Sequence, residues 1–263
     1  MKLACQEGLV SGRSLSEKLD KLAAYGFDGI EIWGHDLAER EKEVTKALDG
    51  HDVKLGSVCA GYGGCLLDPD PAVRQEAIDD IKTLLDIGGR LGAVGLIVVP
   101  VFGPPRLPDV SPLRTAVDLE KDLLIEICKD LGNHARKAKC LVLLEPLNRY
   151  ETHLLCRLDD AAAICKEVKK SSVRMMADFF HMSIEEVDIA ASLKEAGSLV
   201  KHVHLADSTR LLPGYGHTDF RSGFAALKSI RFKGYMALEC GNPGKEEVEL
   251  PKTVEYLRSQ ISG

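Results

Sequence analysis

The sequence predicts an α/β protein, a single (β/α)8 TIM barrel, and three observations carry that prediction. Eight short β-type apolar runs alternate with amphipathic helical patterns from one end of the 263-residue chain to the other. Strands alternating with helices imply parallel pairing by right-handed crossovers, and eight such units of about thirty residues each are what a closed barrel needs. No GxGxxG follows the first run, which disfavours the competing arrangement, an open doubly wound sheet.

The strand candidates are KLACQ (2–6), GIEIW (29–33), KLGSVCA (54–60), GLIVVPV (95–101), CLVLLE (140–145), RMMAD (174–178), HVHLAD (202–207) and YMALEC (235–240). Between them, SLSEKLDKLAAYG (14–26) and DPAVRQEAIDDIKTLLDIGGRLG (70–92) place apolar residues at three- and four-residue spacing behind a Ser or Asp, the pattern of a capped amphipathic helix. Further helices are predicted at 119–138, 158–170 and 246–261, the last interrupted by Pro251. No linker or change of composition divides the chain, so residues 1–263 read as one domain. The longest non-periodic stretches, 100–118 and 207–220, both follow strands. In a barrel they fall on the C-terminal face, where active sites are built, and their Gly and Pro content suits loops that border a pocket.

Composition narrows the function. At 45% hydrophobic and 28% charged residues, the chain has material for a large core and reads as globular. The formal charge is −6, with both signs interspersed, so nothing suggests a basic footprint for nucleic acid or an anionic membrane. The stretch MKLACQEGLVSGRS lacks a signal-peptide apolar segment, and the chain has no apolar run of about 18 residues; a soluble, cytoplasmic protein is expected. The eight cysteines include no CxxC, which points to reduced, packed thiols rather than disulfides or a zinc site.

Four polar residues then stand out. Glu145 ends the fifth strand candidate, Asp178 the sixth, and His204 and Glu239 fall near the ends of the seventh and eighth. Their separations of 33, 26 and 35 residues are each close to one strand–helix unit, so a barrel brings all four to one rim. Residues two apart share a face of a strand, so Leu143, Met176, His202 and Ala237 are expected to point inward one layer below. His202 fits a hydrogen-bonded interior histidine better than a ligand. Three carboxylates converging on an imidazole repel one another unless a positive charge sits between them. A divalent cation answers that, and the oxygen-rich set with one nitrogen suits Mn²⁺ first, with Mg²⁺, Co²⁺, Zn²⁺ or Fe²⁺ as alternatives.

The segments EPLNRYETHLL (145–155), ADFFHMSIEE (177–186), HVHLADSTRLLPGYGHTDF (202–220) and GYMALEC (234–240) resemble the sugar isomerase/epimerase barrels related to xylose isomerase, and among them the ketose 3-epimerases of the tagatose/psicose type. The resemblance implies a metal held by Glu145, Asp178, His204 and Glu239, and an epimerase that inverts C3 of a ketose or ketose phosphate through an enediolate. Glu145 and Glu239 would be the acid/base pair, one removing the C3 proton and the other returning one from the opposite face. Glu151, His181 and Arg210 would contact the sugar, and a homodimer or homotetramer would be the assembly. The chain departs from the family's usual pattern at Phe179, Ser183, Cys156–Arg157 and Thr209; Phe179 would make the wall beside the metal more apolar, and Arg157, if it faces the pocket, would add a positive charge. An aldose–ketose, hydroxypyruvate or inosose-type isomerase on the same metal site is the alternative. An apurinic/apyrimidinic endonuclease needs extra histidines after strands two and three; His35 and the His217-x-Asp219 pair leave that set incomplete. A barrel that binds metal without catalysis has no positive support, since both acid/base glutamates are present.

Overall fold

The alternation of strand and helix closes into a ring in the computed structural model of residues 1–262. Strands β1 (Lys2–Gln6), β2 (Gly29–Trp33), β3 (Lys54–Cys59), β4 (Gly95–Val98), β5 (Leu141–Leu144), β6 (Val173–Asp178), β7 (Val200–Leu205) and β8 (Tyr235–Leu238) pair in sequence order, all parallel, and β8 closes on β1. The predicted strands correspond one to one. Differences are confined to ends: β4 stops before Pro100, which has no N–H to give to a ladder.

The crossovers are α1 (Leu15–Tyr25), α2 (Leu37–Asp49), α3 (Pro71–Leu91), α4 (Ala116–Ala138), α5 (Leu158–Val168), α6 (Phe179–Glu185), α7 (Ile189–Ala196), α8 (Phe220–Ser229) and α9 (Glu246–Ser262). Side chains close their open N-terminal amides. Ser14 accepts from Glu17 N, Asp70 from Ala72 N with Pro71 beside it, and Thr115 from Asp118 N. Contrary to the sequence expectation, α9 runs unbroken through Pro251. Proline removes one helical hydrogen bond, and the buried Leu250, Thr253, Val254 and Leu257 hold the helix against the barrel on either side of that gap. No helix among the described residues is long and apolar enough to cross a membrane, and all eight cysteines are free.

Strand periodicity builds the interior in layers. Tyr235, Ala4 and Ala237 pack together at the base. Gly29 and Gly56 face the Tyr235 ring so closely that a Cβ on Gly29 would stand 2.6 Å from it. Cys59, Ile97, Leu143 and Met176 form a second buried cluster, two of whose members the sequence placed there. Two residues further along their strands come Gln6 after Ala4, Glu31 after Gly29, Asp178 after Met176, His204 after His202, and Glu239 after Ala237. The barrel therefore turns polar toward its C-terminal end.

A carboxylate centre at the C-terminal rim

Each member of the predicted quartet sits at or just past a strand end. Glu145 follows β5 and its N–H still reaches Val98 O at 3.1 Å; Glu239 follows β8 and donates to Leu205 O at 3.3 Å. Asp178 ends β6 and caps α6, its Oδ1 accepting from Phe180 N at 2.6 Å and His181 N at 3.2 Å. That leaves Oδ2 buried without a hydrogen-bond partner, and His204 Nδ1 is in the same condition. One atom from each of Glu145, Asp178, His204 and Glu239 lies within 4.8 Å of the others. From His204 Nδ1 the separations are 3.5 Å to Glu145 Oε1, 3.7 Å to Asp178 Oδ2 and 3.2 Å to Glu239 Oε2.

The sequence reading missed Glu31, which lies directly beneath. It is wholly buried, and its oxygens accept from Gln6 Nε2 (3.2 Å), Ser57 Oγ (2.7 Å), His202 Nε2 (2.8 Å) and His204 Nε2 (3.0 Å). Burial opposes its charge, yet His204 and His202 hold it well below the usual carboxylate range. Because an ionised carboxylate only accepts, His204 carries its proton on Nε2. Its Nδ1 is thereby aimed at the three outer carboxylates, where it would offer its lone pair to a bound cation. His202 is the interior hydrogen-bonded histidine the sequence suggested. The signal for Glu31 was present in GIEIW: a carboxylate inside an apolar strand, in step with the interior face.

The donor set fits a divalent cation. Ligands about 2.1 Å from a common centre stand about 3 Å apart at right angles and about 4 Å apart across it, and the separations from His204 Nδ1 fall within that range. Without a positive charge the centre is strained electrostatically. Burial raises Glu145 to about 7, with Glu239 and Asp178 adding to the rise and His204 opposing it. Asp178 is drawn down to about 2 by His181 and His204 against its burial. Burial disfavours the His204 cation, but Glu31 and Glu239 pull it well above its ordinary value. A second group able to hold a cation, Glu31, Cys59 and His204, shares His204, and the Glu31 oxygens in it are already taken. His35 and His217 join neither group, and Asp219 is spent capping α8 through Ser222 N.

Glu151, His181 and Arg210 adjoin this centre. Arg210 reaches Glu151 Oε1 at 3.1 Å and Glu239 Oε2 at 3.7 Å, and lies 4.6 Å from the Phe180 ring centroid. Its backbone is left-handed, with φ at 57°, a conformation that is costly for a side chain of this size. It is held there because its N–H donates to Asp207 O and its carbonyl accepts from Gly241 N, both at 2.8 Å. Buried Asp207 in turn gathers the amides of Ser208, Gly214 and Thr218. His181 Nδ1 accepts from Asn148 N at 3.1 Å and Nδ2 at 2.8 Å, which leaves its Nε2–H toward Asp178 Oδ2 at 3.8 Å. Asn148, within the NRYE stretch but not singled out, also donates to Glu151 Oε1 at 2.9 Å. Two expectations fail. Phe179 does not line the pocket: one residue past the inward Asp178, it points outward and stacks on Phe220 at 5.6 Å. Arg157 pairs with Asp159 in the first turn of α5 and is half exposed.

Comparisons with known proteins agree with this architecture. The chain is 31% identical over 241 residues to the 3-dehydro-D-guloside 4-epimerase of Escherichia coli, covering 91% of this chain and 92% of that one. It is 36% identical over 219 residues to the L-ribulose 3-epimerase of a Methylomonas species, covering 82% and 75%. The crystal structure of a 3-keto-D-glucoside 4-epimerase from E. coli superposes with a TM-score of 0.90 at 29% identity, over 98% of this chain and 99% of that one. A family model matches residues 19–260, and the chain belongs to the xylose isomerase-like TIM barrel family.

Proposed function

We propose that this protein is a divalent-metal-dependent sugar epimerase that inverts the carbon next to a ketone. The observation that carries the reading is the pair Glu145 and Glu239, delivered from β5 and β8 to one buried centre with Asp178 and His204. A hydrogen next to a ketone is acidic only if the charge left behind is stabilised, and inversion needs a proton acceptor on one face and a donor on the other. The cation, when bound, supplies a Lewis acid, Mn²⁺ being our first assignment, that polarises the ketone and stabilises the enediolate charge. Glu145 and Glu239 take and return the proton. The C–H proton passes to one carboxylate, the electron pair stays in the substrate's enediolate, and the same carbon takes a proton from the other glutamate. Glu151, His181 and Arg210 bind and orient the sugar hydroxyls.

C3 of a ketose is the inverted carbon by the reading from sequence, and the L-ribulose 3-epimerase relative supports it. A second placement has its own support: the guloside 4-epimerase relative matches over nearly the whole length of both chains. In a 3-keto sugar C4 stands to the ketone as C3 does in a 2-ketose, so one pair of glutamates serves either. The test is incubation of the Mn²⁺-loaded protein in D₂O with free ketoses, ketose phosphates and 3-keto-glycosides, followed by NMR. Deuterium at C3 of a ketose or C4 of a 3-keto-glycoside, with inversion, supports the reading and separates the placements. Label entering only at C1 or C2 supports the aldose–ketose isomerase instead, and absence of label from every sugar overturns both.

A further inference from the structure

The two glutamates are not held alike. Among the described residues no side chain donates a hydrogen bond to the Glu145 carboxylate, and His204 Nδ1 lies 3.5 Å from its Oε1. The Glu239 carboxylate has one oxygen toward the centre, Oε2 at 3.2 Å from His204 Nδ1, and its other oxygen, Oε1, at 3.2 Å from Gln6 Nε2. The same Gln6 nitrogen lies 3.2 Å from Glu31 Oε1. Cys59 Sγ, at 3.9 Å from Glu239 Oε1, adds only a weak donor. An amide nitrogen has two hydrogens, and here each has a carboxylate to meet. The amide cannot turn over, since its oxygen would then face two carboxylates. Glu31 cannot yield either, being fixed from its other sides by Ser57, His202 and His204.

From this geometry we infer that Gln6 is a positioning residue for Glu239 and not for Glu145: its amide clamps Glu239 Oε1 to the buried Glu31 and turns Oε2 to the centre. The inference rests on the proposed epimerase reading. A hydrogen bond to one carboxylate oxygen fixes the rotation of the group, so the Glu239 carboxylate is held in one orientation while Glu145 has no such clamp. Losing Gln6 therefore harms one face of the reaction and spares the other.

The experiment uses Gln6→Met, which keeps length without the donor, in the Mn²⁺-loaded protein, with both epimers of the sugar that the wild type labels in D₂O. Inversion needs both faces, so kcat is expected to fall about 10- to 100-fold in both directions, the usual effect of removing a partner of this kind, with KM and Mn²⁺ affinity within about threefold. Exchange of deuterium into recovered substrate needs one face only. It is expected to stay near the wild-type rate for the epimer whose hydrogen faces Glu145 and to fall with kcat for the other. Equal loss of exchange from both epimers, unchanged inversion, or a loss of Mn²⁺ affinity that tracks kcat would each overturn the assignment. A readout independent of turnover is the ¹⁵N-edited NMR signal of the Gln6 side-chain amide, expected to be shifted and slow to exchange in the wild type and to move on Glu239→Ala. A signal like that of an exposed glutamine, unmoved by Glu239→Ala, refutes the clamp whatever the activity. Wild-type protein that labels no sugar refutes the epimerase reading and leaves the amide signal to decide the clamp.

Discussion

Glu145→Gln should stabilise the metal-free protein at neutral pH even as it removes a ligand. Burial raises the Glu145 carboxyl from an ordinary 4.5 to about 7. The sign follows from which state holds the proton. Between those values the folded protein keeps it and the unfolded chain has lost it, so the group's contribution to stability falls as pH rises through that window and is flat above it. A shift of about 2.5 units at about 1.36 kcal/mol each makes the ionised group cost about 3 kcal/mol above pH 7. Its side chain is 7% exposed, so little solvent screening reduces that figure. Glutamine has the same shape and does not titrate. In urea denaturation with a chelator present, the variant should match the wild type near pH 4.5 and exceed it by about 3 kcal/mol at pH 8. Added Mn²⁺ at about a thousand times its dissociation constant should reverse the order, because it then stabilises the protein that binds it by about 4.1 kcal/mol. A difference between the two proteins that stays constant from pH 4.5 to 8 in chelator would refute the electrostatic account of the centre.

Three other substitutions probe its supports. Glu31→Ala strips acceptors from four buried donors and should cost about 3–5 kcal/mol in thermal denaturation, with Mn²⁺ affinity by calorimetry falling about 10- to 100-fold as His204 loses its orientation. Glu120, wholly buried on α4, accepts from Arg106 N (2.6 Å), Leu107 N (3.2 Å) and His153 Nε2 (2.5 Å), and His153 Nδ1 meets Gly103 O at 2.7 Å. Glu120→Ala should therefore release the 100–118 loop from the segment carrying Glu151, read as faster amide exchange at Arg106 and Leu107 with β-strand amides unchanged. Gly89→Ala should lower the urea midpoint by the equivalent of about 1–3 kcal/mol or more, because its Cβ would stand 1.9 Å from Ala138 O where α3 meets α4.

The barrel was legible because its signal is repeated eight times, and the quartet because carboxylates and a histidine at strand ends break an apolar pattern at barrel spacing. Glu31 breaks the same pattern in GIEIW, but at the middle of the strand, two positions short of its end, where the eye expects core. Gln6 and Asn148 carry no charge and matter through which carboxylate or imidazole they meet, a pairing that separations of 25 residues for Gln6 with Glu31 and 33 for Asn148 with His181 do not announce. Phe179 misled for a related reason. It follows a metal-centre aspartate in sequence, but that aspartate also caps α6, and the turn into the helix sends the next side chain out to Phe220 and Phe224.

The division of labour between Glu31 and the outer carboxylates has an electrostatic consequence for the proposed chemistry. Four donors satisfy Glu31, so its charge is held by hydrogen bonds and it serves to aim His204. The outer three carboxylates carry three negative charges, set against a divalent cation and the Arg210 guanidinium, which lies 3.7 Å from Glu239 and is shared with Glu151. Moving a proton from the sugar to a glutamate then transfers negative charge from carboxylate to enediolate without changing the total. In a centre this dry, a step that changed the net charge would meet the full cost of burying it. A step that only moves charge between neighbours does not, and that is the sense in which the arrangement suits reversible inversion rather than net ionisation of its substrate.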